Sequence, residues 1–149
     1  MEITTHVGSI LDRKGREIWA IAAEASVYEA IALMAEKNVG ALPVMDGPTL
    51  LGMISERDYS RKVILHGRVS RETPVADIMT REVITVSSED SVEDCLEIMT
   101  KNHVRHLPVI EDGRLAGLVS IGDLVNWIIA AQSNKIDDLQ RYVTGAYPA

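Results

Sequence analysis

The chain has 149 residues, a formal net charge of -7 at pH 7, an apolar fraction of 46% and one cysteine, Cys95. An acidic chain does not attract nucleic acid nonspecifically, and a lone cysteine forms no internal disulfide. No apolar run reaches the roughly 20 residues of a membrane span, and residues 1–6 lack the features of a signal peptide. We therefore expect a globular protein of the cytoplasm, with neither nucleic acid nor membrane as a partner.

An internal repeat organises the chain. Residues 24–58 align without a gap on residues 89–123, and twelve of these 35 pairs are identical. Identity at this level indicates a duplication, with each copy forming one structural unit. We expect a first repeat over residues 1–70, a second over residues 71–133 and a C-terminal extension over residues 134–149.

A second, shorter match lies upstream and is shifted by 68 residues instead of 65. It aligns Val7, Ile10 and Leu11 with Val75, Ile78 and Met79. The first copy therefore carries three extra residues, which we place within residues 13–17. Each set of matched residues predicts a short helical turn at the start of its copy.

The next elements follow the same order in both copies. Extended stretches are predicted over residues 18–21 and 83–86. Ser26 and Ser91 then precede apolar residues at helical spacing, and a serine in that position is a favourable N-cap. Cys95 lies on the apolar face of the second of these helices, where we expect it to be buried.

A β-hairpin and a closing helix complete each copy. In the second copy, two apolar stretches flank Asp112-Gly113, a dipeptide typical of tight hairpin turns. Pro108 cannot donate a hydrogen bond, so we expect it at the start or the edge of a strand. The closing helix begins near Asp123, and its apolar residues are Leu124, Val125, Ile128 and Ile129. The order is β-α-β-β-α, twice, which predicts an α/β (α+β) fold.

The last segment of the chain falls outside the repeat. Ile136, Leu139 and Val143 are spaced as in a further short helix, and Gly145 and Pro148 would end it.

A seven-residue motif follows a Leu-Pro-Val strand in both copies, as residues 52–58 and 117–123. Glycine, two apolar residues, serine, two variable residues and aspartate resemble the signature of cystathionine-β-synthase (CBS) repeats. The resemblance covers nearly the whole chain. It is strongest to the small stand-alone two-repeat proteins of bacteria and plant organelles, on the runs at residues 56–62, 104–109 and 140–147.

This resemblance implies a pseudo-twofold CBS pair, or Bateman module, with two clefts between its repeats. Members of the family bind AMP, ADP, ATP or NAD(H) there, and S-adenosylmethionine is a less expected ligand. The aspartate of the motif would accept the ribose hydroxyls, the serine would add a hydrogen bond, and the glycine allows close backbone approach. The implied function is a regulatory module that senses cellular energy or redox state and acts on an unknown protein. Pairing of two modules into a homodimer is also implied.

The two clefts differ in charge. The dipeptide before Leu-Pro is Arg105-His106 in the second cleft and Gly40-Ala41 in the first. Since arginine forms strong hydrogen bonds with phosphate, we expect the second cleft to be occupied. Its expected contacts are Thr85, Arg105, His106, Pro108, Ser120 and Asp123, with added charge from Arg57 and Arg61. The expected contacts of the first cleft are Ala20, Ala41, Pro43, Ser55 and Asp58, and Trp19 would either stack on a base or block it.

Structural interpretations of the same residues stay open. Asp58 and Asp123 are also suitable helix N-caps, and the basic residues within 57–71 are compatible with a solvated helix face. No nucleophile elbow, phosphate loop or metal-ligand spacing is present, so we expect neither catalysis nor a bound metal. The alternative function is a structural or protein-interaction module with degenerate, ligand-free clefts.

Overall fold

The computed structural model describes residues 5–144, and the side chains of residues 5–132. Helices alternate with two small sheets, which confirms the predicted α+β class. The helices are α1 (Val7–Lys14), α2 (Val27–Lys37), α3 (Glu56–Asp58), α4 (Val75–Ile78), α5 (Val92–Asn102) and α6 (Ile121–Thr144), and a π-helical turn at Tyr59–Ile64 extends α3. The strands are β1 (Ala41–Asp46), β2 (Thr49–Ser55), β3 (Val86–Ser87), β4 (His106–Glu111) and β5 (Arg114–Ser120). None of the helices within the described range is long and apolar enough to cross a membrane.

Two hydrophobic cores hold the fold, and each takes its first helix from the other repeat. α1 packs in the core built on β4, β5, α5 and α6, whereas α4 packs in the core built on α2, β1 and β2. The two cores are therefore exchanged at their N-terminal helices. We name the core around β1 and β2 the first core and the core around β4 and β5 the second core. Cys95 is buried in the second core as expected, and burial raises the pKa of its thiol to about 11.

Each core contains an antiparallel hairpin, β1–β2 or β4–β5, with the same register and the same bulge. The turn after β4 places both Asp112 and Gly113 at positive φ, as the predicted tight turn requires. Pro43 and Pro108 lie inside their strands rather than at a start. The carbonyl of Pro43 accepts a hydrogen bond from the amide of Ile21, and the proline nitrogen faces the same edge of β1. Pro43 is tolerated because this edge pairs only at Ile21, so the missing N–H leaves no ladder hydrogen bond unmade.

The predicted extended stretches are mostly unpaired. Of residues 18–21 only Ile21 forms a bridge, and of residues 83–86 only Val86 joins a strand. Trp19 is exposed, and Val83 and Ile84 line a cavity instead of meeting a neighbouring strand. High β-propensity alone thus did not produce a ladder.

Serine caps begin both long helices of the repeats, as predicted. Ser26 accepts a hydrogen bond from the amide of Glu29, and Ser91 accepts one from the amide of Asp94. The helices also end alike, at Asn38 and at His103, both in the left-handed conformation. The same helix geometry therefore precedes the loop before β1 and the loop before β4 in the two repeats.

The C-terminal half of α6 corrects one prediction. The separate short helix expected around residues 136–143 is the continuation of a single 24-residue helix, because no breaker interrupts residues 121–144. The expected end at Gly145 and Pro148 lies outside the described residues. Near the start of α6, Leu124 and Ile128 pack into the second core, whereas Ile121, Val125 and Ile129 are 39%, 41% and 55% exposed.

The two N-terminal helices differ in length. α1 has eight residues and ends at Lys14, whereas its counterpart α4 has four and ends at Ile78. After α4 the chain turns at once, and Thr80 exchanges two backbone hydrogen bonds with Met53 of β2, at 2.9 and 2.8 Å. α1 makes one more turn before leaving the core, so the two repeats differ where their ligand clefts would lie.

Candidate nucleotide-binding site

The serine and aspartate of each motif form a helix cap. Ser55 is the N-cap of α3, and its side chain accepts a hydrogen bond from the amide of Asp58, while Asp58 Oδ2 accepts one from the amide of Ser55 at 2.9 Å. Ser120 and Asp123 repeat both bonds, at 2.8 and 3.1 Å. The aspartates therefore occupy the third position of a capping box, and the serines are the N-caps. The interpretation of the aspartates themselves as N-caps is wrong.

This cap orients both carboxylates at the mouth of a hairpin. Ser55 ends β2 and Ser120 ends β5, and the amides of Glu56 and Ile121 bond to the carbonyls of Gly40 and Arg105. The motif is thereby tied to the dipeptide that precedes each Leu-Pro strand. The sequence analysis grouped the dipeptide and the motif of each copy in one cleft, and the structure brings the two elements together in both repeats.

A cavity of about 1060 Å³ lies between the repeats, and we name it the central cavity. Its walls come from within residues 40–41, 53–62, 80–84 and 99–106 and from Ile121. It gathers seven of the expected site residues, namely Ala41, Ser55, Arg57, Asp58, Arg61, Arg105 and His106. Thus the aspartate of the first cleft shares one space with the arginines and the histidine expected at the second.

The remaining expected residues do not line the central cavity. Pro43 and Pro108 are buried in their strands, and Thr85 and Ala20 are exposed. Ser120 is partly buried at the end of β5 and does not line the cavity. Asp123 lines a separate cavity of about 250 Å³, the side cavity, with Ile10, Arg13, Lys14, Asn126, Trp127 and Ala130. Of the second cleft as expected from the sequence, only its phosphate-side residues face the central cavity.

Basic side chains from both repeats line the central cavity with Asp58. Lys62 Nζ lies 3.0 Å from Asp58 Oδ1 and also donates to the carbonyl of Ile78. Arg57, from the first repeat, donates to the carbonyl of His103 in the second at 2.9 Å. The side chains of Arg57 and Arg61 thus belong to the first repeat and face a space that the second repeat completes.

His106 stands at the contact between the two repeats. A Cβ atom added to Gly40 would lie 3.3 Å from the ring atoms Cε1 and Nε2 of His106. Burial lowers the pKa of His106 from its ordinary value, and the nearby Lys14 and Arg105 lower it further, while Asp123 raises it. Burial and the two cations prevail, so the ring is neutral at pH 7 and offers a single N–H donor to a ligand.

Three residues of the site were not singled out from the sequence. Glu56 and Glu82 place negative charge in the central cavity, and Lys14 lies 2.6 Å from Asp123. Lys62, by contrast, pairs with Asp58, as their i, i+4 spacing allows. Lys14 and Asp123 are 109 residues apart, and no spacing rule connects them.

Comparison with known proteins decides the family. The CBS domain matches twice, over residues 7–64 and 75–130. The chain belongs to the CBS-domain family. The pseudo-twofold arrangement seen here is therefore that of a CBS pair, and the doubled Ser/Asp motif is its signature, as the sequence resemblance indicated.

Three related CBS-domain proteins illustrate the match. The chain is 38% identical to the mitochondrial CBS domain-containing protein CBSX3 of Arabidopsis thaliana, over 97% of this chain and 74% of that protein. It is 31% identical to the CBS domain-containing protein YhcV of Bacillus subtilis, over 79% of this chain and 84% of that one. A solved structure from Burkholderia ambifaria, described as a signal-transduction protein with CBS domains, is 47% identical with a TM-score of 0.83, covering 86% of this chain and 96% of that one. Small CBS pairs of this kind are generally regulatory proteins that bind adenosine-containing ligands.

Proposed function

We propose that the central cavity binds an adenine nucleotide (AMP, ADP, ATP or NAD(H)) as a regulatory ligand, and that the chain catalyses no reaction. One observation carries the proposal. The cavity combines Asp58 of one repeat, whose carboxylate can accept ribose hydroxyls, with Arg105 and His106 of the other. Its volume of about 1060 Å³ is at the upper end of the roughly 300–1000 Å³ of ligand pockets. The ligand would report cellular energy or redox state to a separate regulated protein.

Asp58 is the proposed ribose acceptor. Its carboxylate accepts two hydrogen bonds from Ser55 at Oδ2, while Oδ1 meets Lys62 alone among the described contacts. Each carboxylate oxygen can accept about two hydrogen bonds, so Oδ1 has capacity for a ribose hydroxyl. This assignment moves the ribose from Asp123, which the sequence favoured, to the cleft with more room.

Phosphate groups would lie toward Arg57, Arg61 and Arg105. Guanidinium groups are strong partners for phosphate because their hydrogen bonds are charge-assisted and can be bidentate. Arg57 is held by the carbonyl of His103, which marks where a donor from the first repeat reaches the second. Neutral His106 adds a donor without adding charge.

Both serine hydroxyls are engaged in capping their helices, which supports a binding role over a catalytic one.

An exposed apolar stripe on α6, formed by Ile121, Val125 and Ile129, supports self-association. We propose a homodimer through this stripe, because a twofold assembly is the commonest way to cover such a face. We also propose the cytoplasm as its location, since the one cysteine is buried and unpaired; a mitochondrial relative makes an organelle the alternative.

Calorimetry with matched variants tests the ligand and its position. AMP, ADP, ATP, NAD(H) and S-adenosylmethionine are titrated into the wild-type chain, Asp58→Asn and Asp123→Asn. We expect Asp58→Asn to weaken binding about 10- to 100-fold, since hydrogen bonds to a charged group contribute roughly 1.5–3 kcal/mol. Asp123→Asn, its pseudo-symmetric control, should change affinity less than about threefold. Asparagine keeps the shape of the cap, and urea unfolding confirms that each variant is folded.

Two outcomes contradict the proposal. Absence of binding by all five ligands would leave an interaction module with ligand-free clefts. Loss of binding in Asp123→Asn, with Asp58→Asn unaffected, would place the ligand in the second cleft instead.

A further inference from the structure

The central and side cavities are counterparts across the pseudo-twofold relation. The 65-residue shift carries Asp58, Arg61 and Lys62 of the central cavity onto Asp123, Asn126 and Trp127 of the side cavity. The 68-residue shift, which applies to the N-terminal helices, carries Glu82 onto Lys14. Corresponding residues therefore line both spaces, one around each aspartate of the doubled motif.

The two spaces differ in size and in chemistry. The side cavity has a volume of about 250 Å³, against about 1060 Å³ for the central cavity, and falls below the roughly 300 Å³ at which ligand pockets begin. Where the central cavity has Arg61 and Lys62, the side cavity has the uncharged Asn126 and the bulky Trp127. The guanidinium of Arg13 stacks 5.5 Å from the Trp127 ring, which fills the space further.

Lys14 pairs with the aspartate of the second motif. Its Nζ lies 2.6 Å from Asp123 Oδ2 and donates to the carbonyl of Leu118 at 2.9 Å. In the first repeat the carbonyl that corresponds to Leu118, that of Met53, is bonded by the backbone amide of Thr80. The additional turn of α1 thus replaces a backbone bridge by a lysine side chain, and that side chain extends to the carboxylate.

The pairing of Lys62 with Asp58 does not have the same effect. Lys62 belongs to the same helical segment, four residues after Asp58, and both side chains line the large central cavity. Lys14 comes from the opposite end of the chain, and the helix that carries it forms the wall of the small cavity. The large central cavity leaves room for a ligand beside the pair of Asp58 and Lys62, whereas Lys14 takes up part of the small space next to Asp123.

We propose that Lys14 is a built-in occupant of the second ribose position, so that each chain binds one nucleotide, and that removing its side chain opens a second site. This inference rests on the proposed function for the first site. It assigns the number of sites to the greater length of α1.

Binding stoichiometry is the primary measurement. The nucleotide with the strongest heat in the five-ligand titration is used with the wild-type chain, Lys14→Ala, Lys14→Ala/Asp123→Asn and Lys101→Ala, a control at an exposed lysine outside both cavities. We expect one site per chain in the wild type and in the control, two in Lys14→Ala, and one again in the double variant. Two sites in the wild type, or one in Lys14→Ala, would overturn the inference.

A stability measurement without any ligand separates this inference from the proposed function. A double-mutant cycle on Lys14 and Asp123 is measured by urea unfolding, with the expected coupling about two- to fivefold in the unfolding constant, as for a partly exposed ion pair. Absence of coupling would overturn the occupancy by Lys14. If the wild type binds no nucleotide while Lys14→Ala binds one and the coupling is present, the occupancy stands and the assignment of the ligand to Asp58 fails.

Discussion

Alanine at Gly52 and at Gly117, the paired glycines of the two motifs, should have unequal effects. A Cβ atom at Gly52 would lie 2.6 Å from the backbone carbonyl oxygen of Thr80 and 3.0 Å from Met79 Sδ. A Cβ atom at Gly117 would instead lie 2.8 and 3.1 Å from the two terminal methyl carbons of Leu11. Contacts this short require the neighbour to move in both cases, and the neighbour differs.

The magnitudes follow from what has to move. The Thr80 carbonyl accepts a hydrogen bond from Met53, so its retreat breaks the bridge that Thr80 and Met53 share. Overpacking contributes roughly 1–3 kcal/mol, and two weakened hydrogen bonds add about 1 kcal/mol each. We expect Gly52→Ala to lower the free energy of unfolding by about 3–5 kcal/mol. Leu11 can respond by changing its rotamer, so Gly117→Ala should lower it by about 1–2 kcal/mol.

Urea unfolding of the two variants and the wild type measures the difference directly. The gain from a less flexible unfolded chain is similar for both glycine replacements and cancels in the comparison. Gly52→Ala should also weaken nucleotide binding, because Met53 and Thr80 line the central cavity. Equal losses of stability, or a larger loss for Gly117→Ala, would refute the reasoning from the Thr80 carbonyl.

Two further predictions concern His106 and the α6 stripe. The folded-state pKa of His106 lies below its ordinary value of 6.5, so the folded state binds fewer protons than the unfolded state, and stability should fall as the pH drops through about 6.5. His106→Gln should remove part of this loss in urea unfolding between pH 7 and 5, and an unchanged profile would contradict the shift. Light scattering at micromolar concentration should give twice the chain mass of 16.4 kDa, and Val125→Glu should return the protein to a monomer. A wild-type mass near 16.4 kDa would exclude the dimer.

The sequence predicted those parts of the fold that depend on local patterns. Ser26 and Ser91 cap their helices, and Asp112-Gly113 turns the hairpin, because each of these effects is set by neighbouring residues. The extent of the strands was not predictable in this way, since Ile18–Ala20 have suitable side chains but no partner strand. Tertiary pairing overrides propensity there.

The candidate site shows the same division. The sequence located Ser55, Asp58 and Arg105, and the structure places all three at the central cavity. It placed Arg57, Arg61 and Arg105 with Asp123, whereas the structure places them in one cavity with Asp58, because this grouping depends on how the repeats pack. The sequence also could not show Lys14 at Asp123, because the two residues are 109 positions apart and the pattern of apolar residues does not fix where α1 ends.

The exchange of N-terminal helices sets an order in which the chain can fold during synthesis. The first core draws its buried residues from between Ile21 and Met79, so it can close while the second repeat is still being made. α1 leaves the ribosome before any of this but packs against residues between Ile84 and Ile128. It must therefore wait, with Val7, Ile10 and Leu11 uncovered, until almost the whole chain has emerged. Closing that long loop is entropically costly and slow, and it makes the second core depend on both ends of the polypeptide.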